Sequence, residues 1–341
     1  MSKAPQPIGH QVFDAQHLVS AFPPKLSDRN KIHLHGLTCP PGSTHRGRLV
    51  VTRWEEIPLP REYRSNRHAS VFEAREDVFG YEPTPFGAGT VEWYLNFAHR
   101  DLFCAYGSPL FAQDEMQVAE HPVLGSLREA LLQSAAVGTL TAEEGRPTPI
   151  LIRGVERRCA VATDRNEREG RPFGLYGNHF AIAKPESVER ATRVIDPPTF
   201  TNLIAIEAPS HGSGVYSRSD IELVLRTAFT AFRAAMLESQ EEATEVGGLP
   251  PAVVIHTGFW GCGAYGGNRI LMALLQLLAA RVAGVDRVVF HTVHGDGSET
   301  FTRAVRTLEA VAPSGEATFS LPVVVARVQE LGLRWGTGDG N

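Results

Sequence analysis

The run Pro251-Ala-Val-Val-Ile-His-Thr-Gly-Phe-Trp-Gly-Cys-Gly-Ala-Tyr-Gly-Gly-Asn-Arg269, continued by Ile270-Leu-Met-Ala-Leu-Leu-Gln-Leu-Leu-Ala-Ala280, decides the fold. Ala252 to His256 is a short β-branched apolar run of the kind that fills a buried strand. Gly258, Gly261, Gly263, Gly266 and Gly267 crowd the residues that follow, and the Leu- and Ala-rich stretch after Arg269 has no Gly or Pro to interrupt a helix. The pattern is strand, glycine loop, helix. Glycine tolerates positive φ and lets backbone approach a ligand, and loop N–H groups beside a helix N-terminus suit a phosphate or diphosphate. The loop matches neither a Walker A motif nor a clean G-x-G-x-x-G fingerprint. On glycine content alone, anion binding and a plain tight turn stand as equal alternatives. Phe259, Trp260 and Tyr265 favour the first, because aromatics among glycines can wall a pocket and stack on a sugar or base.

Composition narrows the classes. The chain has 341 residues, 43% of them hydrophobic and 21% charged, with a formal net charge of −5. That is enough chain for one large domain with extensions and a real core. The acidic balance argues against direct nucleic-acid binding through a broad basic surface. Cys39, Cys104, Cys159 and Cys262 are scattered without a C-x-x-C pair, which suits free thiols in a reducing compartment better than disulfides or zinc. No metal ligand set is expected, nor a cofactor. The first residues lack the apolar region of a signal peptide, and no apolar run reaches membrane-spanning length. A cytoplasmic location, away from membranes, is the expectation.

Along the chain, residues 1–85 are broken repeatedly by proline and are expected to form an irregular accessory region. Within it Gln11–Phe22 is expected as a short helix and Arg48–Trp54 as a strand. His33, His35, His45 and His68 have no carboxylate or cysteine at metal spacing and should be solvated or hydrogen-bonded. Residues 86–341 form the main domain: strands at Thr90–Ala98, Pro149–Arg153, Thr201–Glu207, Ala252–His256 and Asp286–Thr292, and helices over Leu124–Val137, from Ser219 to about Met236, and over Glu299–Val311. Ser219-x-x-Glu222 has capping-box spacing. Arg157–Glu169 is expected as a charged loop, Glu238–Gly248 as an exposed acidic connector, and Leu321–Leu331 as either strand or helix. Alternating strands and helices predict an α/β architecture with helices on both faces of a sheet.

Thr257-Gly-Phe-Trp-Gly-Cys-Gly-Ala-Tyr-Gly-Gly267 closely resembles the diphosphate-binding loop of poly(ADP-ribose) glycohydrolases, which usually reads T-G-N-W-G-C-G-A-F-G-G. An independent match lies upstream. In that family a strand ending D-F-A-N is followed by a Gly-Gly-Gly loop and then Gln-Glu-Glu; here Asn96-Phe-Ala-His99 is followed by Gln113-Asp-Glu115, with Glu115 at the family's spacing. Asp286 to Asp296 resembles the family's next strand, so the resemblance spans roughly residues 90–310. It implies a macrodomain, a three-layer mixed sheet that holds ADP-ribose across its top. It also implies hydrolysis at the anomeric carbon of ADP-ribose, acting on mono-ADP-ribose linked to a protein side chain such as arginine, or on poly(ADP-ribose). The partners implied are ADP-ribose or an ADP-ribosylated protein.

The resemblance assigns residues. Glu115 is the implied general acid and base, with Asp114 beside it. Gln113, Asn96, His99, Glu82, Gly258, Trp260, Gly261, Cys262, Gly263, Ala264, Tyr265 and Gly266 are the implied substrate contacts. Tyr81-Glu82 would line the adenine side, Tyr176 would cover the ligand, and Cys262 matches a family cysteine that is not the nucleophile. Cleavage through an oxocarbenium-like state needs a proton donor for the leaving atom and an activated water, and one carboxyl near its pKa can serve both in turn. Asp114 would raise the Glu115 pKa if both face the pocket, which requires a non-strand conformation. The plainer alternative places both carboxyls in a helix N-terminal turn, where the dipole favours them. The departures are Phe103-Cys104-Ala105 in place of the glycine triad, with Phe103 expected to narrow or reshape that side of the pocket. A silent ADP-ribose reader is the competing function.

Overall fold

The computed structural model describes residues 5–64, 70–79, 89–209, 212–245, 247–313 and 318–338. Its frame is an eight-stranded mixed sheet. From one edge to the other run β1 (Pro7–Asp14), β2 (Arg48–Trp54), β8 (Ile150–Val161), β9 (Thr192–Glu207), β5 (Thr90–Ala98), β10 (Ala252–Gly258), β11 (Arg287–His291) and β4 (Val71–Arg75). The last five are parallel, and the first four alternate in direction. Short pairs β3 (Glu62–Arg64) with β12 (Thr318–Ser320), and β6 (Ala142–Glu143) with β7 (Arg146–Pro147), lie outside it.

Side chains alternate across β5 and so divide the core in two. Trp93 and Leu95 pack with the inner faces of α7 (Arg218–Glu245), α8 (Arg269–Ala283), α9 (Gly295–Val311) and α10 (Leu321–Glu330). Tyr94 and Ala98 face α1 (Ala15–Ala21), α3 (Gln113–Glu120) and α4 (Val123–Leu131). A smaller cluster joins α2 (Arg29–Thr38), α5 (His179–Ile182) and α6 (Pro185–Ala191) to the far part of β8. The result is the expected three-layer α/β sheet with helices on both faces. β10 lies between β5 and β11, so the glycine loop leaves the C-terminal end of an interior strand.

Several expectations need correction. Residues 7–75 are not an accessory unit, because β1, β2 and β4 belong to the main sheet. Gln11–Phe22 begins as strand: β1 pairs with β2 through Asp14↔Arg48, and only then does Asp14 cap α1 by accepting the His17 N–H at 2.8 Å. Arg157–Val161 continues β8, because β9 extends as a long partner through Val161↔Thr192. The N-terminal cap of α7 sits two residues before the sequence-read box. The Ser217 and Asp220 side chains bond each other's backbone N–H, at 3.2 and 2.8 Å. At its other end α7 runs to Glu245, through the supposed connector. Leu321–Glu330 is helix.

Glu238 shows why that extension is helical. It is buried at the sheet, where Trp54 Nε1 donates to it at 2.9 Å, the Thr52 hydroxyl also donates, and Arg153 lies 3.2 Å away. The carboxylate ties α7 to β2 and β8. Glu238→Ala is therefore expected to cost about 2–4 kcal/mol, the range for leaving buried donors and a charge without their partner. Urea unfolding of the variant against the parent measures it.

Candidate active site

The parallel strands end together: Ala98 pairs with Glu207, and Gly258 with His291. The turns after β5, β9 and β10 consequently meet at one edge of the sheet, the usual place for a ligand in such folds.

After β10 the chain makes a compact loop that spends several of its own amides on itself. Trp260 N–H bonds Gly258 C=O, Cys262 N–H bonds Phe259 C=O, Gly266 N–H bonds Gly263 C=O, and Gly267 N–H bonds Gly261 C=O, at 2.8–3.1 Å. The Gly263 and Ala264 N–H groups take no part in these bonds. Gly261 is required by both conformation and space, since its φ is +71° and a Cβ would stand 2.5 Å from Ala208 Cβ. Below the loop, Thr257 Oγ1 donates to Gln276 Oε1 at 2.5 Å while Gln276 Nε2 donates to Gly258 C=O at 3.1 Å. The Asn268 side chain accepts the Ile270 and Leu271 N–H groups at 3.1 Å and caps α8. Those first-turn amides are thus satisfied within the protein, which leaves anion contact to the loop amides rather than to the helix end.

Residues 333–338 clamp this loop from outside. Trp335 stacks on Tyr216 with centroids 4.1 Å apart, Gly336 N–H donates to Gly266 C=O at 2.8 Å, and Asn268 Nδ2 donates to Arg334 C=O at 2.9 Å. Backbone meets backbone there: a Cβ on Gly266, whose φ is +66°, would stand 2.9 Å from Gly338 N.

The expected aromatic wall is only partly present. Trp260 is fully buried, its Nε1 donating to Ile206 C=O at 3.3 Å, so it anchors the loop in the core instead of lining a pocket. Phe259 is half-buried against Phe290, with the Arg269 guanidinium 5.2 Å from its ring centroid. Tyr265 stays at the site: burial, then the charges of Glu207, Asp114, Cys104 and Glu115, push its hydroxyl up to about 12. Burial also pushes the Cys262 thiol up to about 12, which fits a cysteine that is not a nucleophile.

Facing the loop is the first turn of α3. Asp114 and Glu115 are 7% and 4% exposed. Glu115 Oε2 accepts the Ala112 N–H at 3.0 Å, and Asp114 Oδ1 accepts Asn96 Nδ2 at 3.0 Å. The helix-terminus role of the two carboxyls is therefore real. Burial, then the neighbouring Glu115 charge, raises the Asp114 pKa; burial likewise raises that of Glu115, against the opposing charge of Lys31. One of the expected contacts faces inward, and Gln113 lines a cavity with Met116, Gln117 and Glu120. Asn96 is fully buried and divides its amide between Asp114 and Gln117. Gln113 accepts the Phe97 N–H at 2.8 Å and donates to the Leu95 carbonyl at 2.9 Å, taking over where β10 pairing with β5 stops at Tyr94↔His256. Both residues position α3. His99 is exposed at the cleft, its Nδ1 accepting the Asp101 N–H. Tyr81 and Glu82 lie outside the described residues. Tyr176 is 39% exposed, and Gly177 bonds Phe111 in both directions, bringing this segment beside the start of α3.

Phe103 does not narrow the cleft. Its φ is +56° and its ring is fully buried among the core residues beneath, so the bulk points down and Cys104 is the exposed residue. Sequence reasoning passed over Glu207, a half-buried carboxyl whose pKa burial raises. Its signal was its place at the end of a buried strand, level with Ala98. Among the described residues no group of three or more His, Cys, Asp or Glu side chains is arranged to hold a metal, and no helix is long and apolar enough to cross a membrane.

The family model described as poly(ADP-ribose) glycohydrolase, macro domain fold, matches residues 150–299. Over that stretch the chain is similar to a family of glycosidase-type hydrolases with a macrodomain fold. No curated protein matches the chain. Similar solved structures include the poly(ADP-ribose) glycohydrolase of Thermomonospora curvata, 14% identical over 87% of this chain and 85% of that one, TM-score 0.42. Another is that of Deinococcus radiodurans in complex with ADP-ribose, 14% identical over 89% of this chain and 94% of that one, TM-score 0.40.

Two outcomes follow from the site's energetics. An acid whose pKa is raised by folding keeps a proton that the unfolded chain loses above about pH 4, so stability declines as pH rises through that window. Asp114→Asn carries no charge to bury and retains an oxygen for Asn96. It is expected to unfold a few degrees higher than the parent, about 2–4 °C, near pH 8, with the gain vanishing toward pH 4. Gly261→Ala should lower the melting temperature through its left-handed φ and the Ala208 contact, and Ala208→Gly should recover the steric part; paired thermal melts test both.

Proposed function

We propose that the protein is an ADP-ribosyl hydrolase whose general acid and base is Glu115. What carries this reading is the meeting, at one edge of the sheet, of a buried carboxyl pair with a glycine loop of the glycohydrolase type. A diphosphate would lie along Gly261–Gly266, where the Gly263 and Ala264 amides are not spent on the loop, and the distal ribose would lie toward His99 and Glu115. Burial keeps the Glu115 carboxyl protonated nearer neutral pH, as a proton donor requires. It gives that proton to the leaving atom as the anomeric C–O or C–N bond breaks. As carboxylate it then takes a proton from the water that attacks the same carbon, and the cycle closes with free ADP-ribose and a protonated Glu115. Asp114, bonded to Asn96, would hold the helix turn and tune its neighbour.

The substrate proposed is mono-ADP-ribose on a protein side chain, arginine included, with the polymer as the competing substrate. Four free thiols suit a reducing, cytoplasmic setting. The reader alternative draws support from the loss of the glycine triad and from the 4% exposure of Glu115. The test is incubation with poly(ADP-ribose) and with arginine-, serine- and glutamate-linked ADP-ribose. Turnover on one of them is expected, and Glu115→Gln should lower it by about two to four orders of magnitude while calorimetry shows ADP-ribose affinity nearly unchanged. A parent that binds ADP-ribose yet cleaves none of these linkages would make it a reader.

A further inference from the structure

Lys31 lies on α2, in the stretch whose sequence suggested an accessory role. Its side chain is buried at 3% exposure, and Nζ donates to the Tyr106 carbonyl at 2.7 Å and the Ala105 carbonyl at 3.5 Å. The residues just before it hold the same turn. Ser27 and Asp28 N–H both donate to the Gly107 carbonyl at 3.0 Å, the Ser27 hydroxyl donates to it at 2.7 Å, and Lys25 N–H donates to the Tyr106 hydroxyl at 2.6 Å. The two backbones touch, since a Cβ on Gly107 would stand 2.3 Å from the Lys25 carbonyl oxygen. Three successive carbonyls, 105 to 107, are gathered by residues 27–31. This turn starts at Ala105, the last of the three residues that stand in place of the glycine triad.

An ammonium bonded only to neutral carbonyls in a low-dielectric interior is an unbalanced charge. Among the described residues no carboxylate contacts it directly. The carboxyls that act on it are Glu115, Asp28 and Asp114, while burial pushes the amine down to about 8. The other groups around the pair are His99 and Cys104 from the turns after β5, Arg128 from α4, and Tyr265 from the glycine loop. Lys31 therefore supplies a buried positive charge that acts on the α3 carboxyls.

We propose that Lys31 is a positioning residue for the acid–base pair: its ammonium pins the 105–107 turn beside α3 and holds a buried positive charge on the side of α3 that also carries Val118 and Ala119. The link to catalysis rests on the function proposed above; the electrostatic link does not. Lys31→Gln keeps a donor for the carbonyls without the charge, Lys31→Arg keeps the charge, and Lys31→Met keeps neither. Carbon-detected NMR of the labelled Asp114 and Glu115 carboxyls, together with the pH profile of hydrolysis, separates the two roles. Lys31→Gln is expected to raise the pair's apparent pKa by about one pH unit, because a nearby positive charge favours the ionised form. The pH profile should move the same way, with ADP-ribose affinity held within about threefold. Lys31→Arg should titrate like the parent, and Lys31→Met should add a loss of affinity. Carboxyls that titrate in Lys31→Gln as they do in the parent overturn the proposal, whatever happens to the rate. If Lys31→Met does not fold, the other two variants still decide. A parent without hydrolysis of any ADP-ribosyl linkage defeats the functional reading, while the carboxyl titration still decides the role of Lys31.

Discussion

Two adjacent carboxyls taken out of water at the first turn of α3 set the terms for the structure around them. Burying an ionisable acid is costly unless hydrogen bonds or opposite charge offset it. Here the offset is assembled from several groups: the Ala112 N–H at the helix start, the Asn96 amide from β5, the Lys31 ammonium from α2, and the more distant Arg128 from α4 and His99 just after β5. They are drawn from α2, α3, α4 and the end of β5. The carboxyls are consequently stable only in the complete tertiary fold, and their raised pKa values record the part of the cost that is not offset.

The same turn explains why the sheet is built as it is. β10 stops pairing with β5 at Tyr94↔His256, and Gln113 supplies the bonds that the strand no longer does. A side chain in place of a strand lets the chain of β10 turn away into its glycine loop while β5 keeps its backbone satisfied. The cleft proposed for the ligand lies at that divergence. Its walls are held on one side by Trp260, sunk into the core under Ile206, and on the other by Phe103, whose left-handed backbone directs the ring into the opposite half of the core. Both large aromatics serve the loops from beneath, leaving smaller groups and backbone to face the cleft.

Rigidity is distributed unevenly. The glycine loop is held from below by Gln276 and from outside by residues 333–338, through Gly336 and the Trp335–Tyr216 stack. The turn at 105–107 is held by residues 25–31. Segments far apart in sequence thus fix the two halves of one site, an arrangement suited to preorganised amides and carboxyls.

Sequence alone determined the elements whose signals are local. The β-branched run at Ala252–His256, the glycines after it and the Leu-rich helix specified strand, loop and helix, and the Thr90–Ala98 and Arg48–Trp54 strands were legible from their own residues. So was the family likeness of the loop, while the placement of Glu115 in a helix turn was one of two alternatives left open. What sequence could not specify was direction and partnership. Asn96 looks like a cleft residue in a motif, yet faces inward, where its amide holds Asp114 and Gln117. Trp260 and Phe103 look like pocket walls, yet the core beneath has room for them. Lys31 and Glu238 look like ordinary surface charges. Only tertiary packing, which brings α2 against the 105–107 turn and α7 against β2, could bury them, because burial belongs to pairs of segments and not to either segment by itself.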